Sequence, residues 1–160
     1  MSKISPLAFI DPEAKIGENC EIGPFCFIDK NVEIGDNNVL MNSVSVLYGA
    51  RIGNGNVIFP GAVISAVPQD LKFRGEETTA EVGDNNKIRE NVTINRGTAA
   101  KGKTCVGSGN LLMESVHVAH DAFVGNDCII GNGTKLAGEI IIDDHAIISA
   151  NVLMHQFCRV

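Results

Sequence analysis

The chain has no tryptophan and only one tyrosine among its 160 residues, and aromatic residues make up 5% of it. It contains no apolar run of the ~18 residues that a membrane-spanning helix needs, and its first residues show no basic segment followed by an apolar one. These absences argue against a base-stacking surface for nucleic acid, against integral membrane association and against secretion. We therefore expect a cytoplasmic protein.

The five cysteines form neither a metal-ligand pattern nor a disulfide pattern. No two of them are spaced as CxxC, and their number is odd in a chain without an evident secretion signal. Four of them, Cys20, Cys26, Cys128 and Cys158, occupy a repeated position at which we expect small inward-facing side chains. At such a position cysteine behaves as a small apolar residue, so we predict that these four have a structural role.

The charge is negative overall but unevenly distributed. The formal net charge of -6 disfavours binding to a phosphate backbone. Residues 72–103 nevertheless carry a net charge of +2, which leaves -8 for the remainder. Two interpretations stay open: a local basic surface for a small anionic ligand or an acidic partner, and scattered solvated charge.

Aliphatic residues recur with a period of six along the chain. From Ile4 onward, 24 of 27 positions spaced by six are Ile, Val, Leu or Met, and the exceptions are Asp70, Glu76 and Ala100. We call these the anchor positions. The fourth residue after an anchor is often small or β-branched, so we expect both positions to point inward. The residue directly after an anchor is often Gly or Asp, and we expect it to adopt the unusual backbone angles of a corner.

A period of six predicts a parallel β-solenoid. An α-helix needs apolar spacing near 3.6, and a half-buried strand alternates with a period of two. Three hexads instead make one triangular coil of 18 residues, so that each residue stacks on the residue 18 positions later. The repeat breaks twice, and we predict loops that leave the coil near 66–81 and 97–105. Ejected loops of this kind often carry functional residues.

The 18-residue period places three histidines on one edge of the predicted solenoid. His120, Gly138 and Gln156 fall in one column, His117 and His155 lie beside it, and His145 maps to another edge. A neutral imidazole can accept a proton near neutral pH. The backbone N–H of a glycine one coil above can stabilise an oxyanion. This combination indicates acyl transfer without a covalent enzyme intermediate.

The repeated I-G-x-x-x-x pattern resembles the hexapeptide-repeat acyltransferases. More specifically, QDLKFRGE (69–76), IRENVTINRGT (88–98), the segment 106–138 with its HVAHD motif, and HQF (155–157) resemble the UDP-N-acetylglucosamine O-acyltransferases of lipid A biosynthesis. The resemblance implies a left-handed parallel β-helix that forms a homotrimer. It also implies transfer of a 3-hydroxyacyl group from acyl carrier protein to the 3-hydroxyl of UDP-N-acetylglucosamine. No cofactor is implied beyond the phosphopantetheine that carries the acyl donor.

The resemblance also assigns roles to individual residues. His120 matches the general base, Asp121 the residue that orients it, and Gly138 the oxyanion donor. The positions matched to substrate contacts are Asp70, Lys72, His117, His155 and Gln156. Glu139 stands where the family often has histidine, so its role is open. The family continues into further coils and a helical domain, so we expect residues 1–160 to form one β-helix domain and to be a fragment.

Two other functions remain as alternatives. One is the related UDP-3-O-acylglucosamine N-acyltransferase, against which the QDLK and NRGT segments argue. The other is a γ-type carbonic anhydrase, which would bind zinc through three histidines. Here His117 and His120 are three residues apart and His155 lies nearly two coils higher, which makes a poor tetrahedral zinc site. We therefore predict no metal site.

Overall fold

The hexads fold into short parallel strands, and three successive strands complete one coil of a left-handed parallel β-helix. The computed structural model describes residues 1–160 and contains 23 strands and no helix. Accordingly, no helix that could cross a membrane is present. The all-β solenoid expected from the six-residue period is confirmed.

The strands form three sheets, one on each side of the coil. The first sheet contains β1 (Lys3–Ile4), β4 (Glu21–Ile22), β7 (Val39–Leu40), β10 (Val57–Ile58), β13 (Lys87–Ile88), β16 (Leu111–Leu112), β19 (Ile129–Ile130) and β22 (Ile147–Ile148). The second contains β2 (Phe9–Ile10), β5 (Phe27–Ile28), β8 (Ser45–Val46), β11 (Val63–Ala66), β14 (Thr93–Asn95), β17 (His117–Val118), β20 (Lys135–Leu136) and β23 (Leu153–Met154). The third contains β3 (Lys15–Ile16), β6 (Glu33–Ile34), β9 (Ala50–Ile52), β12 (Thr79–Val82), β15 (Lys103–Val106), β18 (Phe123–Val124) and β21 (Ile141–Ile142).

The anchor side chains fill the interior of the helix. Most of them belong to a cluster of 31 buried apolar residues that runs along its axis, whereas Ile4 and Val160 at the two ends are exposed. Burial of each Ile, Leu or Val side chain contributes about 1.5–3 kcal/mol relative to exposure. Cys20, Cys26 and Cys128 are buried as predicted, and all five cysteines are free thiols. Cys158 is exposed, because it lies in the last coil of the chain.

We predicted that glycine directly after an anchor adopts unusual backbone angles, and this prediction was wrong. The positive φ angles of the corners lie on the third residue after an anchor, which is most often Asn, Gly, Ser or Asp. Glycine directly after an anchor has an ordinary φ and serves close packing instead. A Cβ on Gly35 would lie 2.7 Å from the carbonyl oxygen of Gly53 in the next coil. Small size, rather than backbone freedom, is what the coil requires at this position.

A ladder of buried asparagines runs inside one corner of the helix. It consists of Asn38, Asn56, Asn86 and Asn110, each at the fourth position after an anchor and at most 1% exposed. Each side-chain oxygen accepts the backbone N–H of the residue one coil above, as in Asn110 N to Asn86 Oδ1 at 2.9 Å. Each side-chain amide donates to a glycine carbonyl, as in Asn86 Nδ2 to Gly107 O at 2.9 Å. The ladder therefore ties successive coils together in register.

Replacing Asn86 with leucine should destabilise the protein by about 2–6 kcal/mol. The change leaves the Gly107 carbonyl and the Asn110 N–H buried without partners, at about 1–3 kcal/mol each. Urea unfolding followed by circular dichroism measures the loss. Asn132→Leu is the matched control, because Asn132 is exposed and its side chain makes no hydrogen bond; it should change stability by less than about 0.5 kcal/mol.

Both predicted loops are confirmed as interruptions of the coil. The first loop covers residues 67–78 and the second loop covers residues 96–102. The strands that follow them begin earlier than predicted, because β12 and β15 pair with each other over four residues. The loops lengthen the coil-to-coil spacing, since Ile64 pairs with Ile94 and Ile94 pairs with Val118.

Candidate active site

An open groove of about 320 Å³ lies on the edge that follows the second sheet. The sequence-predicted residues that line it are His117, His120, Gly138 and Gln156. His117 belongs to β17, and His120 lies in the turn that follows the same strand. Gly138 occupies the equivalent turn one coil above, after β20. The 18-residue stacking therefore brings these residues together as the period predicts.

His120 and Asp121 form a buried hydrogen-bonded pair. His120 Nδ1 lies 2.8 Å from Asp121 Oδ2, and Asp121 is 1% exposed. Burial disfavours the charged carboxylate, but hydrogen bonds from Thr98 and His120 outweigh it and lower the pKa of Asp121. An ionised carboxylate can only accept, so Nδ1 must carry the proton. His120 Nε2 is then the unprotonated nitrogen that can accept a proton.

Asp121 itself adopts a left-handed backbone conformation with a φ of 60°. Its backbone N–H donates to Thr104 Oγ1 at 2.8 Å. This corner conformation turns the carboxylate toward the preceding residue's imidazole, and aspartate tolerates it better than most residues. The positive φ found at the third residue after an anchor throughout the solenoid therefore also occurs at Asp121 of this pair.

Gly138 packs directly against the His120 ring. A Cβ on Gly138 would lie 2.6 Å from His120 Cε1 and 2.7 Å from Nε2. The Gly138 N–H donates to no protein group, whereas the neighbouring Glu139 N–H donates to the His120 carbonyl at 3.1 Å. The site therefore places a proton acceptor beside a free backbone donor. Transfer of an acyl group needs both, because the attacking hydroxyl loses a proton while the carbonyl oxygen gains charge.

His117 is held neutral in the same groove. Its Nδ1 lies 2.7 Å from Thr93 Oγ1 on the strand of the preceding coil. Burial lowers the pKa of His117 below its ordinary value of 6.5, and the positive charge of Lys135 together with the nearby His120 lowers it further. An uncharged His117 can donate or accept a hydrogen bond to a polar ligand in the groove.

The lowered pKa of His117 makes stability depend on pH. The unfolded chain takes up a proton near pH 6.5, whereas folded His117 resists it, so acidification favours the unfolded state. We expect the free energy of unfolding to fall between pH 7.5 and pH 5.5 by more in the wild type than in His117→Asn. Urea denaturation at both pH values checks this; an equal fall in both proteins would contradict it.

Asp70 and Lys72 do not line the His120 groove. Together with Thr98 and Glu139 they line a separate pocket of about 170 Å³ between the two loops. Asp70 Oδ1 accepts the Lys72 N–H at 2.9 Å, so this carboxylate also shapes its own loop. Glu139, which lines this pocket, directly follows Gly138 of the groove and lies one coil above Asp121. Substrate contacts by Asp70 and Lys72 stay a prediction.

The remaining predicted residues lie at the upper end of the groove. His155 and Gln156 line an adjoining groove of about 450 Å³ that shares Ala137 and Met154 with the first. Both side chains are exposed. His145 lies on a different edge, 3.9 Å from Asp127, as predicted. No group of three or more His, Cys, Asp or Glu side chains is arranged to hold a metal ion.

Much of the basic charge in residues 72–103 is neutralised or stacked locally. Arg89 pairs with Glu90 and Lys103 with Glu81, each at 3.0 Å. The guanidinium of Arg96 lies over the rings of Tyr48 and Phe73, at 5.5 Å and 5.2 Å. The interpretation as scattered charge is therefore favoured over a continuous basic surface. Arg96 instead attaches the first loop to the coil through Phe73.

A larger groove of about 760 Å³ lies on the first coils, far along the chain from the histidines. Its charged side chains, Lys3 and Glu21, pair with each other on the exposed surface. No histidine lines it. The smaller groove at His120 is therefore the candidate active site.

Three residues of the site were missed from the sequence. Thr98 contacts Asp121, Thr93 contacts His117, and Gln69 of the first loop lines the groove. Thr98 and Gln69 lie in the NRGT and QDLK segments, so their motifs were noticed but their roles were not. Thr93 lies directly below His117 in the stacked coils, 24 residues earlier in the sequence. The 18-residue period could have predicted this contact only if the length of the second loop had been known.

The fold and the site together define a hexapeptide-repeat acyltransferase architecture: a left-handed β-helix with a histidine-aspartate pair under a free backbone N–H. A comparison with profiles of known protein families gives no match. Comparisons with individual proteins do.

The chain is similar to several acyltransferases. It is 45% identical over 161 residues to the acyl-[acyl-carrier-protein]–UDP-N-acetylglucosamine O-acyltransferase of Aliarcobacter butzleri, with 100% of this chain and 62% of that protein covered. The crystal structure of the UDP-N-acetylglucosamine acyltransferase from Bacteroides fragilis is 76% identical, with a TM-score of 0.96 over 98% of this chain and 61% of that one. The Francisella novicida enzyme is 46% identical, with a TM-score of 0.96 over 98% of this chain and 57% of that one.

In sequence and in fold, the chain is a relative of the UDP-N-acetylglucosamine acyltransferases, as its motifs indicate. It spans about three fifths of the length of the relatives that it matches.

Proposed function

We propose that this chain transfers a 3-hydroxyacyl group from the phosphopantetheine thioester of acyl carrier protein to the 3-hydroxyl of UDP-N-acetylglucosamine, the first step of lipid A biosynthesis. The proposal rests on one observation: the unprotonated Nε2 of His120 and the free backbone N–H of Gly138 lie beside each other in one groove. The printed name of the Aliarcobacter relative includes both the acyl-carrier-protein donor and the UDP-N-acetylglucosamine acceptor.

The proposed reaction needs one base and one oxyanion donor. His120 Nε2 takes the proton of the sugar hydroxyl as its oxygen attacks the thioester carbonyl. The Gly138 N–H stabilises the negative oxygen of the tetrahedral intermediate. When the intermediate collapses, the C–S bond breaks and the imidazolium returns the proton to the leaving thiolate. The products are the O-acylated sugar nucleotide and the free thiol of the carrier protein, and no cofactor is consumed.

We assign substrate contacts to five further residues. They are Asp70, Lys72, His117, His155 and Gln156. His117, uncharged and fixed by Thr93, is suited to a hydroxyl or carbonyl group of the substrate. Lys72 is the one cationic side chain of the pocket between the loops, where the carboxylates of Asp70, Glu76 and Glu139 also lie, so this pocket is suited to hydroxyl and amide groups of the substrate.

We also propose a homotrimer in which a second subunit covers the groove. The apolar side chain of Leu153 lines the groove and is 80% exposed in a single subunit. Because acyl transfer to a sugar hydroxyl requires that water be excluded, we expect a neighbouring subunit to cover this side chain. Sedimentation equilibrium distinguishes a monomer of 17.0 kDa from a trimer. A cytoplasmic location stays a prediction.

A direct assay tests the proposed activity and separates it from its alternatives. The purified chain is incubated with 3-hydroxyacyl carrier protein and either UDP-N-acetylglucosamine or a UDP-3-O-acylated amino sugar. We expect an O-acyl product with the first acceptor and none with the second. Acylation of the amino sugar alone would indicate the N-acyltransferase. Carbon dioxide hydration that depends on added zinc would indicate the carbonic anhydrase.

A further inference from the structure

The second loop surrounds Asp121 with hydrogen-bond donors. The Thr98 N–H donates to Asp121 Oδ1 at 2.9 Å, and the Thr98 hydroxyl lies 2.6 Å from Asp121 Oδ2. Lys101 Nζ donates to the Asp121 carbonyl oxygen at 3.3 Å. Thr98, like Asp121, is buried. Six residues inserted into the coil thus bring one threonine onto both oxygens of the carboxylate.

The donor and the acceptor of each hydrogen bond between Thr98, Asp121 and His120 can be assigned. The Ala100 N–H donates to Thr98 Oγ1 at 3.2 Å, so the threonine oxygen acts as an acceptor there. Its own hydrogen must then point to Asp121 Oδ2, because the ionised carboxylate has none to give. Asp121 Oδ2 also accepts from His120 Nδ1. Thr98 and His120 therefore both donate to the same carboxylate oxygen.

We propose that Thr98 is a positioning residue for His120, which acts through Asp121 and holds the imidazole in the tautomer whose Nε2 accepts a proton. Its meaning for catalysis rests on the function proposed above. With Thr98 bonded to both oxygens, the carboxylate cannot rotate about its Cβ–Cγ bond, so Oδ2 stays directed at Nδ1.

The other charged and titratable groups around His120 and Asp121 do not hold the Asp121 carboxylate in place. His117 and Lys135 lie on the second sheet and face the groove, Glu139 lies one coil above, and Lys101 contacts the main chain of Asp121 only. None of them makes a hydrogen bond to the Asp121 carboxylate. Thr98 and His120 are its only side-chain partners.

Thr98→Val and Thr98→Ser separate the hydroxyl from the shape of the side chain. Valine keeps the size and loses the donor, whereas serine keeps the donor. We expect Thr98→Val to lower kcat about tenfold with little change in KM, which is the range for losing one hydrogen bond to a charged group. Thr98→Ser should behave as the wild type.

A second readout needs no turnover. Nitrogen-15 NMR of the histidine rings reports which nitrogen of His120 carries the proton. We expect the Nδ1-protonated form in the wild type and Thr98→Ser, and a mixture of both tautomers in Thr98→Val. Thr98→Ala gives the same test if the valine variant does not fold, as judged by circular dichroism.

The outcomes separate this proposal from the proposed function. An unchanged tautomer in Thr98→Val would overturn the positioning role, and so would equal losses of kcat in the valine and serine variants. If the wild type shows no acyl transfer, the proposed function fails, and the NMR comparison alone then decides whether Thr98 sets the His120 tautomer.

Discussion

Replacing His120 with alanine should lower kcat for acyl transfer by about a hundredfold to ten-thousandfold, the contribution of a positioned general base. Nε2 is the only ring nitrogen of the buried pair that is free to accept a proton, because Nδ1 is bonded to Asp121. His117 is not equivalent, since its Nδ1 is bonded to the neutral hydroxyl of Thr93 and not to a carboxylate that would stabilise a protonated ring. Single-turnover kinetics with 3-hydroxyacyl carrier protein and UDP-N-acetylglucosamine measure the effect.

His145→Ala is the matched control for His120→Ala. The His145 side chain is 77% exposed and lies on another edge of the helix. Its removal should leave kcat within twofold of the wild type, and circular dichroism should show that both variants are folded. A His120→Ala protein that retains most of its rate would remove His120 from the proposed mechanism.

Replacing Gly138 with alanine should lower kcat by about a hundredfold or more, which is the usual effect of losing an oxyanion donor. The added methyl would lie 2.6 Å from His120 Cε1, so either the ring or the corner must shift by several tenths of an ångström. A ring shift weakens the bond to Asp121, and a shift of the corner moves the Gly138 N–H. Both changes affect the transition state more than substrate binding, so KM should change little.

A double-mutant cycle tests the physical reason for this loss. Gly138→Ala should destabilise the wild type but not the His120→Ala variant, because the ring that the methyl strikes is then absent. Urea unfolding of the four proteins gives the coupling energy. If Gly138→Ala costs the same stability in both backgrounds, the contact between Gly138 and His120 is not what excludes a side chain here.

The repeat itself was predictable from the sequence, because each anchor side chain obeys the same local rule. The column of His120 and Gly138 followed from that rule, since no insertion falls between residues 106 and 160. Thr93 and Thr98 did not follow, because the two loops add 12 and 6 residues to the coil-to-coil spacing of 18. No local pattern shows how many residues of a loop lie outside the coil, so contacts that cross a loop have to be read from the structure.

Side-chain chemistry at the corners was also only partly predictable. Glycine after an anchor was recognised as necessary, but for its backbone angles rather than for the close approach of the next coil. The asparagine ladder went unnoticed because asparagine was not expected at an inward position. Its four members can be buried only because each amide is fully paired along the helix axis.

The asparagine ladder also bears on how this protein can change during evolution. It crosses both loops without interruption, since Asn86 bonds to Asn56 below the first loop and Asn110 bonds to Asn86 above the second. The loops leave the corner between the second and third sheets, whereas the ladder keeps the coils aligned at the corner between the third and first sheets. Insertions and deletions within the loops can therefore be accommodated without misaligning the strands, provided that Thr98 stays bonded to Asp121.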